Sequence, residues 1–187
     1  AKSSTRVIGP ISATGDCVNY GTLVFVGTDS IFDAGFNSPG SVEVTEGAEV
    51  GFYGSLTTLT DFISAGHVTS GGTIGFTSGR AEIGGVFIGK AGLVIFSDDA
   101  EVVITGTFTS KGHVTNLGGA LSIFSSDVIF KAGFDAAGTV TLDGASNSKI
   151  VSNGQSIVTG VLDISAGSTV VMVGSAILCA QVTNNGH

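Results

Sequence analysis

At 187 residues and 18.5 kDa the chain has the size of one well-buried domain, and nothing in its composition marks a second. Only 12% of its residues are charged, against roughly 25% in an ordinary soluble domain, while Gly supplies 30 residues and Trp none, so Ser, Thr, Asn and Gly must make its wet surface. A net charge of −8 with single, scattered Lys and Arg residues argues against a nucleic-acid partner, which needs clustered cations.

The mean hydropathy of +0.49 is high, yet the longest apolar run, residues 170–180, is broken by Gly174 and Ser175. It falls short of the roughly 20 apolar residues of a spanning helix, so no membrane span is expected. Residues 1–16 show no basic segment followed by an apolar one, so any signal peptide is expected to be already removed or never present, and the opening AKSST suits a mature end left after cleavage. Cys17 and Cys179 stand near opposite ends without a CxxC or His neighbour at metal-ligand spacing. That leaves no metal site and favours two buried thiols packed as small hydrophobes over a disulfide.

Three stretches then repeat: residues 21–44, 72–96 and 119–142 align without a gap. From each leading Gly, equal offsets give Leu23, Ile74 and Leu121, then Phe25, Phe76 and Ile123, then Phe32, Ile83 and Phe130. Further on they give Phe36, Phe87 and Phe134, then Val42, Leu93 and Val140. The units start 51 and 47 residues apart. Their looser second halves close on FISAGHVTS, FTSKGHVTN and LDISAGSTV, so the repeat units run approximately 21–70, 71–117 and 118–170, with 171–187 opening a further turn. Fixed-period similarity of this kind marks a repeat architecture.

Within the units, apolar residues come as short alternating pairs such as Leu23/Phe25, Val42/Val44 and Val140/Leu142. A period of two in β-branched and aromatic residues reads as strand. Gly-bearing corners such as SPG, SAG, SKG and SNG separate the pairs, limiting strands to about 3 to 6 residues. The 21-residue step from the leading Gly to Val42 fits one circuit of a coil, with a second, less regular circuit completing each unit. The expected fold is therefore all-β: one parallel β-solenoid domain over 1–187, of about eight or nine short-stranded turns in three repeat units. Phe32, Ala34 and Phe36 are expected to point one way, and the three aligned Phe residues to lie on superposed rungs. A jelly roll does not explain gapless copies, and three propeller blades would not close a ring.

The densest acidic group, Asp98, Asp99 and Glu101 in SDDAE, reads as a solvated corner. His67 and His113 share a GHV setting, but Gly167 and Ser168 replace the pair in the third unit, so both read as surface residues copied with the repeat. No nucleophile elbow, P-loop or zinc-protease motif is present; neither catalysis nor a cofactor is expected.

The last residues, VTNNG at 182–186, resemble VTNLGG at 114–119, which leads into a repeat. A coil that stops where another circuit would begin exposes strand edges, which pair with another chain. Either the chain is part of a longer coil or copies stack head to tail, and under stacking Cys17, Cys179, Asn184 and Asn185 are candidate inter-subunit contacts.

With the repeats placed, the chain resembles the β-solenoid passengers of bacterial autotransporters and of polymorphic outer-membrane proteins, whose GGA motif GGALSI at 118–123 resembles. RVIGPISATGD at 6–16 also resembles the start of a bactofilin domain, a cytoskeletal β-solenoid that polymerises without nucleotide. The resemblances imply architecture and no site residue. The resulting expectation is a non-enzymatic extracellular or cell-surface structural protein that self-associates end to end into a filament or sheath. The alternatives are an adhesive passenger fragment binding a host or glycan surface, and a polysaccharide-processing enzyme.

Overall fold

In the computed structural model, which describes residues 3–27, 29–90, 92–178 and 181–186, strands follow one another with almost no helix; the exception is one 3-10 turn, Gly144–Ser146. The first three strands, Ser4–Val7, Ile11–Ala13 and Cys17–Val18, make one circuit, and the fourth, Thr22–Phe25, pairs in parallel on the first. Repeating this step gives a three-sided coil. We call the sides faces I, II and III, after the strands Ser4–Val7, Ile11–Ala13 and Cys17–Val18 that begin them, and number turns from Ser4.

Face II is a nine-stranded parallel sheet. Faces I and III belong to one seventeen-stranded sheet because two strands, Ile74–Ile83 and Val94–Ile104, run round the corner between them. At 10 and 11 residues these exceed the expected short strands. Here the corner is turned by a register shift between Phe76 and Ser78 and by Gly79 at φ 76°, instead of by a break in pairing. The expected parallel β-solenoid is thus observed, with about nine turns, a stack of roughly 40 Å at the usual inter-strand spacing.

The registers measure the turn directly. Leu23 pairs with Val42, Val42 with Phe62, Phe62 with Ala81, Ala81 with Val102 and Val102 with Leu121. Leu23 and Leu121 therefore share a column five turns apart. Ile74 does not join them, for it lies in the column Phe36, Leu56, Ile74, Val94, Val114, Phe134 on face III. Likewise Phe36 and Phe134 are superposed, whereas Phe87 sits on face II beneath Phe108. The middle copy is thus one face out of phase, correcting the expectation of three superposed rungs. Each face presents the same inward apolar pair and the same glycine corner, so a gapless alignment slides from face to face without a mismatch.

Alternation fixes what is inside: Phe25, Phe52, Phe62, Phe76, Phe87 and Phe108 are all fully buried. Phe32 and Phe36 are buried and meet edge to face at 4.8 Å, while Ala34 between them is only partly covered. Ser38, Ser64, Ser70 and Ser110 point inward at corners and donate their hydroxyls to the carbonyl of the glycine two residues on, at 2.6, 3.4, 3.4 and 2.9 Å. A Ser-x-Gly corner therefore satisfies a buried hydroxyl and a corner carbonyl together, as burial requires.

At the corner between faces I and II, Gly66, Gly85 and Gly106 stack on successive turns. A Cβ on Gly85 would lie 2.0 Å from the Gly66 carbonyl oxygen, and one on Gly106 2.0 Å from that of Gly85. Gly85→Ala is expected to destabilise the chain by about 1–3 kcal/mol, the usual cost of forcing atoms into a packed site. Gly75→Ala, where the nearest atom beyond the neighbours is 3.9 Å away, should be neutral or slightly stabilising. Urea unfolding of both variants checks this, and equal midpoints would refute it.

Candidate assembly surfaces

Because the rings and β-branched groups fill the axis, the described residues offer the two ends and the three outer faces as places to bind. At the far end, the last strands Thr169–Met172, Ala176–Leu178 and Gln181–Asn184 each pair on one side only. Their inward positions continue the core columns, and no described residue lies above them. Leu178 is 50% and Val182 41% exposed. With Leu162, Ile164, Val170, Met172, Ala176 and Asn184 they line an open apolar recess of about 290 Å³. Asn184 accepts a hydrogen bond from the Gly186 amide at 3.0 Å, and the Asn185 amide donates to the Ile164 carbonyl at 2.9 Å.

At the near end, the first turn turns small side chains inward. Val7 is buried, and Ala13 and Cys17 are partly buried against the core. Cys17 heads the column Phe36, Leu56, and its amide donates to the Gly35 carbonyl at 2.8 Å. Its thiol is free, with the sulfur 3.5 Å from the Gly15 carbonyl. Ile8 and Tyr20 stand 73% and 79% exposed on the same turn. Of the four candidate contacts, the structure brings Asn184 and Asn185 together at the far end and sets Cys17 at the near end. Cys179 lies outside the described residues.

The carboxylates of SDDAE are exposed on the long strand Val94–Ile104: Asp99 and Glu101 pair with Ser78 and Arg80, while Asp98 falls at the register shift that turns the corner between faces III and I, so the group lies at a solvated corner without a break in the strand. His67 and His113 are not equivalent. His67 opens a face II strand, while His113 precedes a face III strand, with Nε2 3.0 Å from an Asp135 carboxylate oxygen and Nδ1 3.3 Å from the Ala132 carbonyl. His67 shares a shallow recess with Asp29, Glu49 and Tyr53, and its Nε2 is buried without a hydrogen-bond partner. Among the described residues no three His, Cys, Asp or Glu side chains converge as metal ligands.

Two charged surfaces are not legible in the sequence, where the cations stand singly and scattered. Lys90, Lys111 and Lys131 each follow a face II strand. Their amides donate to Ser70, Gly89 and Ser110 carbonyls in turn, so they stack on three successive turns at the corner between faces II and III. All three are exposed, and Lys90 lies 5.6 Å from the centre of the Tyr53 ring. Across the rod, face I carries Glu43, Asp61, Glu82 and Glu101 on turns three to six. Only Arg80 stands among them, 3.4 Å from Glu82 and 3.8 Å from Glu101, its amide donating to Asp61 at 3.1 Å.

Three parallel faces, one strand each per turn, and a core of stacked like residues define the class: a parallel β-solenoid of about nine turns. No family model matches this chain, and comparison with curated proteins and with solved structures yields no match. No helix among the described residues is long and apolar enough to cross a membrane.

Proposed function

We propose that this chain is a non-enzymatic structural protein that associates end to end into a filament or sheath at the cell surface or outside the cell. The observation that carries the reading is the far end: half-exposed Leu178 and Val182 over an apolar recess, rimmed by strands paired on one side. Such an edge is a template for a further strand, and a heterologous contact between unlike ends of one rod does not close on itself. The resemblance of GGALSI to polymorphic outer-membrane passengers favours surface display. That of RVIGPISATGD to bactofilins favours polymerisation without nucleotide.

Negative-stain electron microscopy of the purified chain tests this. Filaments one rod wide, lengthening with concentration, are the expected result. A monodisperse rod at high concentration would instead favour an adhesive fragment of a longer coil, binding a host or glycan surface through its sides.

A further inference from the structure

We infer that the lysine column and the acidic face are the two halves of a side-by-side contact between copies of this chain. The inference is independent of end-to-end stacking. The corner between faces II and III lies opposite face I in a three-sided rod. The unpaired cations Lys90, Lys111 and Lys131 therefore point away from Glu43, Asp61, Glu82 and Glu101, and cannot reach them within one molecule. No ion pair involves the three lysines among the described residues. In a chain with seven Lys and Arg, placing three on one axial line leaves like charges one rung apart, which is unfavourable unless an anionic surface faces them.

The spacing selects the occupant. Lysines recur once per turn on turns five to seven, and face I carries one of these carboxylates on each of turns three to six, alternating between two columns two residues apart: Glu43 and Glu82 with Ile63 between them, and Asp61 and Glu101 with Arg80 between them. Both follow the same rung spacing, so a parallel neighbour displaced along the axis by between one and two turns brings a carboxylate of one column or the other within reach of each long lysine side chain. A foreign polymer would meet that interval only by coincidence, and the net charge of −8 repels polyanions from the rest of the rod. Apolar neighbours flank both halves: Ile88 and Ile129 beside the lysines, Ile63 beside the carboxylates. Exposed pairs are individually weak, so the contact is a salt-sensitive one that gains strength when many rods are already aligned. Being heterologous, it repeats and builds rafts of parallel rods.

Zero-length carbodiimide cross-linking of the full chain followed by mass spectrometry reads the contact, since a Lys90, Lys111 or Lys131 link to Glu43, Asp61, Glu82 or Glu101 is intermolecular by geometry. These links are expected, and should fall at least about tenfold in roughly 1 M salt, where the screening length shrinks to about 3 Å. The variant K90E/K111E/K131E should lose them and sediment as narrower particles. Mixing it with E43K/E101K should restore association in sedimentation velocity, because each variant then offers the charge the other lacks. Leu178→Lys/Val182→Lys separates the two modes, for the lateral links must persist when end-to-end growth is blocked. Association of the triple variant equal to wild type, or indifference to salt, overturns the inference. So does retention on heparin without any of these cross-links, which would assign the lysine column to a polyanion.

Discussion

Phe108→Ala is expected to cost about 3–5 kcal/mol of folding free energy, the range for emptying a buried aromatic site. Phe108 is fully buried on the sixth turn. It stacks on Phe87 at 4.8 Å and 3°, meets Phe130 at 6.0 Å and 80°, and meets Phe96 at 6.4 Å and 60°. The side chain thus touches rings on the turns before and after its own, and its loss leaves a void that neither neighbour can fill without dragging its strand out of register. Domains of this size are stable by only about 5–15 kcal/mol, so the loss is a large share of the total.

The coil adds a second consequence. A rod in which each turn contacts only its neighbours is quasi-one-dimensional, and its cooperativity depends on the coupling between adjacent turns. A void on the sixth turn weakens that coupling near the middle, so denaturant unfolding should broaden or split as the halves melt separately. Phe124→Ala, at a ring 41% exposed, should stay within about 0.5 kcal/mol. Equal midpoints for the two variants, or an unchanged sharp transition in Phe108→Ala, would remove the stacked core from the account of stability.

The same stacking explains what could be read in the sequence and what could not. Alternating pairs such as Val140/Leu142 announced strands, because a face with one side on the core must alternate. The recurrence of like residues announced a coil, because a column one rung apart shares one environment. The phase of the repeats was not legible. Leu23, Ile74 and Leu121 match in chemistry, yet only the first and last share a column, since three equivalent faces give three equally good alignments.

The lysine column failed for the same reason. Lys90, Lys111 and Lys131 are 21 and 20 residues apart, the length of a turn here, but that spacing carries meaning only once the turn has been measured. The paired His residues show the converse error: a shared GHV triplet placed His67 and His113 on different faces. Asn184 and Asn185 lie together whatever the phase, because neighbours in sequence at a terminal rung stay on one rung under any alignment.

Under the proposed end-to-end assembly, Leu178→Lys/Val182→Lys should weaken association at least about a hundredfold while leaving the subunit's own stability within about 1 kcal/mol. Burying an apolar side chain contributes about 1.5–3 kcal/mol, and each is already half covered, so the seam gains about 1 kcal/mol from each. A factor of ten in affinity is about 1.4 kcal/mol, and forcing two ammonium groups into an apolar seam adds a penalty larger than the lost contacts. The geometry also sets how copies would join. The first strand, Ser4–Val7, and the last, Gln181–Asn184, both lie on face I, so continuing the coil seats Ser4–Val7 of an incoming copy on Thr169–Met172 of face II. Its Ile11–Ala13 then meets Ala176–Leu178, setting Ile11 over Ala176 and Ala13 over Leu178, large against small. Its Cys17 falls over Val182 and its Asn19 over Asn184. Each copy is thereby turned by one face, about a third of a revolution before the coil's own twist is added. Cryo-electron microscopy of filaments reads that rotation, and a junction that stacks face I on face I would sink this mode of joining even where filaments form.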